Sequence, residues 1–299
     1  MRMLTSAAES STPQIPRPSA SLVVVNDHNE ILLVHRNPKA RFFAGVHVFP
    51  GGNYDSEQDD SFGITAIRET FEESGILLAT STTGVMPPDS VLEVARRAIH
   101  SRKMTFKSFL EEHKLKPNVD SLLPFTEWIT PPNAPRRFHT KFFVTFLSDT
   151  ATSKFSSGTK EAQIPTPDGG QEVISARYIS PRAALKEFDE KKITFMPPQF
   201  YILTTLSEIM EQTSHRDLIQ TLSRGPFGRM VINPRRLFSE KEDGHTILTY
   251  EGDESRGGPK GRLHRASVKV GKGGITEQIT LLRNFDILTE VEIPAHSRL

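Results

Sequence analysis

A glycine turn followed closely by an acidic helix is the feature that most restricts how this chain folds. In FPGGNYD, residues 49–55, Pro50 and two glycines end a short apolar run and predict a tight turn. RETFEESG, residues 68–75, predicts the later part of a helix over about residues 62–77. Asp60 or Ser61 is the expected N-cap, and Gly75 lies near the expected helix end.

This helix is predicted to have one apolar and one acidic face. At about 100° per residue, the apolar face holds Ile64, Ile67 and Phe71, and the opposite face holds Glu69, Glu72 and Glu73. Three carboxylates this close repel one another unless a cation lies among them. Oxygen ligands of this kind suit Mg²⁺ or Mn²⁺. A solvated acidic face on an ordinary surface helix is the alternative that the helix alone leaves open.

Composition excludes several classes of protein and site. The 299 residues carry a net charge of +1, so nothing global indicates a nucleic-acid or anionic-membrane partner. With no cysteine, disulfides, thiolate metal sites and a cysteine nucleophile are excluded. No apolar run reaches the length of a membrane span.

Mixed strands and helices without regular βα alternation predict an α/β (α+β) layered sandwich. Strands are expected in residues 21–25, 30–36, 46–52, 125–132, 140–148 and 172–180, and helices in 90–115, 181–192 and 197–212. The predicted organisation is a disordered tail (residues 1–19), a main domain (20–235) with a helical insertion at about 88–117, and a small C-terminal β extension (236–299).

The acidic segment resembles the core of the Nudix box, REXXEEXG. The matching residues are Arg68, Glu69, Glu72, Glu73, Gly75 and the apolar Ile76, and the turn Pro50, Gly51, Gly52 resembles the opening of the box. The resemblance implies a Nudix α/β/α sandwich whose loop–helix site holds divalent ions on a diphosphate. It implies Glu72 and Glu73 as metal ligands, Glu69 as a ligand or water-orienting base, and Arg68 as the partner of a box glutamate.

The spacing departs from the common Nudix pattern at one point. Arg68 follows Gly52 by sixteen positions, two more than is usual, and no glutamate stands at the usual intermediate position. Glu57, Asp59 or Asp60 in the lengthened loop is expected to supply the missing acid.

A second resemblance narrows the substrate. Residues 32–55 are similar to the signature that precedes the Nudix box in coenzyme A diphosphatases: Leu32, Leu33, Arg36, Gly45, Phe49, Pro50, Gly51, Gly52 and Asp55 match, whereas Asn37, Ala40 and Phe43 differ. Residues 44–52, 125–143 and 196–206 look like the peroxisomal branch of these enzymes, which has an enlarged Nudix loop. This implies hydrolysis of coenzyme A or acyl-coenzyme A, with Arg36, Gly51 and Gly52 binding substrate. The alternatives are NADH, another dinucleotide or capped RNA as substrate, and a catalytically inactive Nudix binding module.

Further candidates lie outside the box. Arg137 and Lys141 are the favoured phosphate ligands of a basic cluster that also holds Arg136 and His139, with surface charge as the alternative. Glu172 is a candidate late catalytic acid, or a solvated loop residue. The basic segment 256–274 predicts a solvated β-hairpin, with a nucleic-acid patch as the alternative.

The C-terminal residues Ser297, Arg298 and Leu299 resemble a peroxisomal address that an import receptor reads. A peroxisomal location is therefore expected. The alternatives are the mitochondrion, since Arg2 and Arg17 outnumber the one acid of the N-terminal segment, and the cytoplasm.

Overall fold

The computed structural model describes residues 14–40, 44–132, 134, 136–147, 165–168, 172–237, 244–271 and 274–288. The elements described there follow in chain order: β1 Arg17–Val25, β2 Ile31–Arg36, β3 His47–Val48, β4 Gly51–Asn53, α1 Phe62–Ser74, β5 Ala79–Ser81, α2 Asp89–His100, α3 Phe106–Glu112, β6 Leu115–Pro117, β7 Leu123–Ile129, β8 Phe138–Phe146, β9 Val173–Ile179, α4 Pro181–Asp189, α5 Pro197–Met210, α6 His215–Arg224, β10 Val231–Ile232, β11 Arg235–Arg236, β12 His245–Thr249, β13 His264–Val270 and β14 Thr276–Arg283.

Strand β1 is the centre of an eight-stranded mixed sheet. The sheet has the order β10-β7-β8-β1-β2-β3, with β4 added to β1 and β9 added to β2. Strand β1 runs parallel to β8 from Arg17 opposite Phe138 to Val25 opposite Phe146, and antiparallel to β2 and β4. Its last seven residues are buried because the sheet is covered on both faces, which explains the continuous apolar run of its sequence.

Alternate residues of β1 enter two separate cores. Val23 and Val25 pack on the face that also buries Tyr201 of α5 and Ile219 of α6. Ala20, Leu22 and Val24 pack on the opposite face, with Ile67 and Phe71 of α1. The predicted α/β/α sandwich is therefore confirmed. Strand β1 begins at residue 17, so residues 17–19 belong to the sheet and not to the predicted tail. Helix α6 is not predicted from the sequence.

Helices α2 and α3 lie between the two strands of a short ribbon. Strand β5 pairs antiparallel with β6, so the chain leaves and returns at one point. Phe109 of α3 stacks on Phe71 of α1, with ring centroids 5.7 Å apart. The inserted segment therefore shares the core of α1 and covers that helix.

The four-stranded sheet β11-β12-β13-β14 shares the other core. Tyr250, which follows β12, meets Trp128 of β7 and Tyr201 of α5 edge to face at 5.3 and 5.8 Å. Two arginines of the basic segment form ion pairs with acids of the connection between β12 and β13: Arg256 with Glu251 and Arg265 with Asp253. These pairs favour a structural role for that segment over a nucleic-acid patch. None of the helices in the described part of the chain combines the length and the hydrophobicity that a transmembrane span requires.

Candidate active site

Helix α1 begins and ends where its sequence places caps. The Ser61 hydroxyl accepts a hydrogen bond from the Ile64 N–H at 3.3 Å, which satisfies one free donor of the first turn. Gly75 has a left-handed conformation, φ 77°, and its N–H donates to the Phe71 carbonyl. These two caps fix the helix at residues 62–74.

The acidic face of α1 is buried beneath β4 and the glycine turn. Glu72 and Glu73 are 8% and 1% exposed, so the alternative of a solvated acidic face is wrong. The Gly51 N–H donates to Glu73 Oε2 at 3.0 Å. A Cβ atom on Gly52 would lie 2.4 Å from the Glu69 carboxyl carbon. Any residue other than glycine would therefore clash with this carboxylate. The turn thus brings backbone into direct contact with two of the three glutamates.

Arg68 is buried and joins four partners. Its Nε and Nη2 donate to the two carboxylate oxygens of Asp59 at 2.9 and 2.8 Å. Its Nη1 donates to one oxygen of Glu69 and one oxygen of Glu72, both at 2.8 Å. Its Nη2 also reaches the Asn53 carbonyl at 3.0 Å. This bidentate, charge-assisted arrangement fixes the rotamers of the box glutamates relative to the loop.

Asp59 is the loop acid that pairs with Arg68. It is 2% exposed, whereas Glu57 and Asp60 are exposed. Its Oδ2 also accepts from the Asp55 N–H at 3.0 Å and the Thr65 hydroxyl at 2.9 Å. The lengthened loop folds back on itself to bring this carboxylate under α1. Of the three acids expected from sequence, Asp59 is thus the one that reaches the helix.

Arg36 of β2 lies between two carboxylates. Its Nη1 is 3.6 Å from Glu73 Oε1, and its Nη2 is 3.8 Å from Glu172 Oε2. The Glu172 side chain, just before β9, is about half exposed. The structure therefore brings together most of the site residues expected from sequence: Arg36, Gly51, Gly52, Arg68, Glu69, Glu72, Glu73 and Glu172.

Burial separates the pKa values of the three glutamates. Burial raises the pKa of Glu69 to about 7, opposed by Arg68 and assisted by Glu72. Burial, together with the nearby Glu69, raises the pKa of Glu73 well above its usual value. Burial also acts on Glu72, but His100 and Arg68 outweigh it and lower the pKa of that carboxyl. Ionisation of Glu69 and Glu73 is therefore unfavourable in this site, and a cation bound beside them would stabilise their charged forms.

The carboxylate oxygens of this site are ligands of the kind that a hard divalent cation prefers. In the described residues, no group of three acidic or histidine side chains is already placed to hold a metal ion. Arg68 explains this arrangement because it holds one oxygen each of Glu69 and Glu72. Within the same described residues, Glu73 Oε1 is buried and accepts no hydrogen bond, although Arg36 Nη1 lies 3.6 Å from it. A buried carboxylate oxygen in that state is an available ligand for Mg²⁺ or Mn²⁺.

His100 at the end of α2 reaches this site and has no signal in the sequence. Its Nδ1 is 3.5 Å from Glu72 Oε2 and its Nε2 is 3.9 Å from Asp168 Oδ2. The contact with Glu72 raises the pKa of His100. Asp168 Oδ2 also accepts from the backbone N–H groups of Glu172 and Val173, at 2.8 and 3.2 Å. The inserted segment thus contributes a side chain to the site.

Arg96, one turn earlier in α2, caps the end of α1. Its Nε donates to the Glu72 carbonyl at 2.8 Å, and its Nη1 and Nη2 donate to the Thr166 hydroxyl and carbonyl at 2.9 and 2.8 Å. The Thr166 N–H donates to the Ser74 carbonyl at 2.9 Å. Two carbonyls that a helix end leaves without partners are thereby satisfied from outside the helix.

Arg137 makes its contacts just before β8, a central strand of the main sheet. Its Nε donates to the Thr130 carbonyl at 3.0 Å and its Nη1 to the Gln14 carbonyl at 2.7 Å. These bonds fix the connection between β7 and β8 against the segment that precedes β1. The contacts shown for Arg137 are therefore with backbone rather than with the box glutamates.

Lys141 lies at the other end of α1 from the glutamates. Its Nζ is 3.2 Å from Glu127 Oε1 and 4.8 Å from the centre of the Phe62 ring, at the start of the helix. The same Glu127 carboxylate meets His139 Nε2 at 2.6 Å. A role for Lys141 or Arg137 in binding phosphate remains a prediction from the sequence.

The fold is that of a Nudix domain. The solved structure of a NUDIX hydrolase from Alicyclobacillus acidocaldarius matches with a TM-score of 0.51 and 24% identity, over 64% of this chain and 91% of that one. The family model described as the NUDT19 Nudix domain matches residues 57–206, and the chain belongs to that family. The match begins after the glycine turn and includes α1 and the inserted helices.

The curated proteins similar to this chain include proteins named acyl-coenzyme A diphosphatase. The protein named acyl-coenzyme A diphosphatase NUDT19 of Xenopus laevis is 28% identical over 238 residues, which is 59% of this chain and 59% of that protein. The Homo sapiens protein of the same name is 26% identical over 263 residues, 68% of this chain and 65% of that protein. The chain thus spans about 60% of the length of the curated relatives it matches.

Proposed function

We propose that this protein hydrolyses the diphosphate bond of coenzyme A or an acyl-coenzyme A with the help of Mg²⁺ or Mn²⁺. The products are 3′,5′-ADP and (acyl-)4′-phosphopantetheine. The observation that carries the proposal is the close set of three glutamates at the glycine turn: Arg68 binds Glu69 and Glu72, and the Gly51 N–H binds Glu73. The names of the curated relatives and the residues of the upstream signature support the choice of substrate.

Each group has a role that follows from its surroundings. Glu69, Glu72 and Glu73 would hold the cation, which neutralises phosphate oxygens and acidifies a bound water. Arg36 carries a guanidinium at the edge of this carboxylate set and would bind a phosphate oxygen of the substrate. Glu172 is half exposed beside Arg36, where a carboxylate can accept a proton from an attacking water. Gly51 and Gly52 allow the turn to lie directly against Ala20 of β1 and the Glu69 carboxylate, and their backbone would contact the substrate beside the cation.

Product analysis tests the proposal. The purified protein is incubated with Mg²⁺ or Mn²⁺ and, in parallel, with coenzyme A, an acyl-coenzyme A, NADH and ADP-ribose, and the nucleotides are separated by chromatography. We expect 3′,5′-ADP to form fastest. Faster release of AMP from NADH would contradict coenzyme A as the preferred substrate. No turnover with either metal would favour an inactive binding module.

A matched pair of variants tests the site itself. Glu73→Gln removes the charge of the buried ligand, and we expect it to lower kcat at least about 100-fold. Glu111→Gln makes the same change on the exposed side of α3 and should leave kcat unchanged. Equal kcat values for the two variants would show that Glu73 is not a metal ligand.

The peroxisomal address at Ser297, Arg298 and Leu299 lies outside the described residues and stays a prediction. We expect deletion of these three residues to move a tagged protein from peroxisomes to the cytosol, as fluorescence microscopy would show. An unchanged distribution after the deletion would contradict a receptor-read signal at this position.

A further inference from the structure

His100 closes a ring of contacts around the box glutamates. One half of the ring runs from Glu73 through Arg36 to Glu172. The backbone N–H of Glu172 then donates to Asp168, and Asp168 lies 3.9 Å from His100 Nε2. The contact between His100 Nδ1 and Glu72, at 3.5 Å, returns the ring to α1. The imidazole is the one member of this ring that the inserted helix α2 supplies.

The place of His100 is fixed by buried contacts of the same helix. Arg96 is 3% exposed and binds the Glu72 carbonyl on one side and Thr166 on the other. Thr166 and Asp168 belong to one short segment. The bonds of Arg96 therefore fix α2 against both groups that His100 contacts, Glu72 and Asp168. The imidazole itself is 14% exposed and therefore cannot swing freely into solvent.

We propose that His100 is a positioning residue that orients Glu72 as a metal ligand, and that the inserted helices are for this reason part of the active centre. The inference rests on the proposed metal-dependent function. Arg68 holds Glu72 Oε1, and His100 faces Glu72 Oε2, so the two together fix the rotation of the carboxylate. Groups that orient metal ligands in this way typically change metal affinity 10- to 100-fold when they are removed.

The two ring nitrogens can be tested separately. In His100→Asn the amide nitrogen takes the place of Nδ1 and keeps a donor toward Glu72, but nothing reaches Asp168. In His100→Gln the amide nitrogen takes the place of Nε2, which keeps a donor toward Asp168 and removes the one toward Glu72. His100→Ala removes both donors. Arg97→Gln, on the exposed side of the same helix, is the control.

Manganese binding is measured without substrate, by the electron paramagnetic resonance signal of free Mn²⁺ during titration of the full chain. We expect His100→Gln and His100→Ala to weaken the Kd for Mn²⁺ about tenfold, and His100→Asn and Arg97→Gln to stay within about twofold of wild type. The Tm of each variant is recorded so that loss of fold is not read as loss of affinity.

Three results would overturn the inference. Equal Mn²⁺ affinity in all four variants would show that His100 does not orient Glu72, while leaving the proposed function intact. A loss in His100→Asn equal to that in His100→Gln would show that the Asp168 contact, or packing, matters instead. No Mn²⁺ binding by the wild-type protein would overturn both this inference and the proposed metal site. Binding without hydrolysis would overturn the proposed reaction alone.

Discussion

Arg68 organises the candidate site because one buried guanidinium binds three carboxylates. Removing one charged partner from this buried cluster lowers the free energy of unfolding far more than removing a surface charge, because the remaining charges stay buried without compensation. The bidentate pair with Asp59 also ties the loop to the helix. The geometry of the glutamates therefore depends on a residue outside the acidic helix.

Two neighbouring loop acids allow a test of this dependence. Asp59→Ala leaves Arg68 buried with fewer partners, and we expect the free energy of unfolding to fall by about 3 kcal/mol. Asp60→Ala removes only an exposed pair with Lys107 and should change it by less than about 1 kcal/mol. Urea denaturation of both variants is the measurement. Similar losses would contradict the structural role of Asp59.

The two glycines of the turn should respond differently to the same change. A Cβ on Gly52 would meet the end of the flexible Glu69 side chain, so we expect Gly52→Ala to displace that carboxylate and lower kcat about 100-fold with little loss of stability. A Cβ on Gly51 would lie 2.5 Å from the Ala20 carbonyl of β1. Because backbone cannot move aside cheaply, Gly51→Ala should lower the free energy of unfolding by about 1–3 kcal/mol.

Kinetics and urea denaturation of the two variants separate these effects. Gly52→Ala should retain the denaturation midpoint of the wild type, and Gly51→Ala should show a lower one. A Gly52→Ala enzyme with full activity would mean that the position of Glu69 is not critical.

At the scale of elements, the sequence predicts local features and misses distant ones. The Ser61 cap and the Gly75 stop of α1 are predictable because each bond spans only a few residues. Helix α6 carries Leu218, Ile219 and Leu222 at helical spacing, so its signal was present in the sequence but weak in a polar segment. Arg96, in contrast, reaches Glu72 across 24 positions, and only the folded insertion brings the two together.

A buried histidine lies at the contact between α5 and β13. His264 is buried, its Nδ1 lies 2.6 Å from the Glu251 carbonyl, and its Nε2 lies 2.9 Å from the Tyr201 hydroxyl. A carbonyl only accepts, so the neutral ring donates from Nδ1 and accepts from Tyr201 at Nε2. Burial lowers the pKa of His264 from 6.5 to about 4.

This lowered pKa predicts a loss of stability on acidification. Between pH 6.5 and pH 4 the unfolded chain binds a proton at His264 that the folded chain does not, so stability falls as the pH falls through this range. The full effect is on the order of 3 kcal/mol. Urea denaturation of the wild type and of His264→Gln at pH 4 to 7 checks it. We expect a shallower decline in the variant, and parallel curves would contradict the role of His264.

At the scale of the whole molecule, the C-terminal sheet is joined to the main domain by a common core. Tyr250, Ala266, Val268 and Ile279 pack in the same cluster as Val23, Phe142 and Tyr201. Separation of the two sheets would expose these apolar side chains to water, at a cost of about 25 cal/mol for each Å². The described residues of the predicted extension thus belong to the folding unit of the main sheet.

A single unfolding transition should follow from this common core. Trp128 is the one tryptophan of the chain, and it contacts both Tyr201 and Tyr250, at 5.4 and 5.3 Å. Its fluorescence therefore reports on the contact between the main domain and the C-terminal sheet, while far-ultraviolet circular dichroism reports on the secondary structure of the whole chain. We expect the two signals to give the same urea midpoint, as for a two-state protein. A fluorescence change at lower urea than the loss of secondary structure would mean that the C-terminal sheet detaches first, and that the shared core is not what holds the fold together.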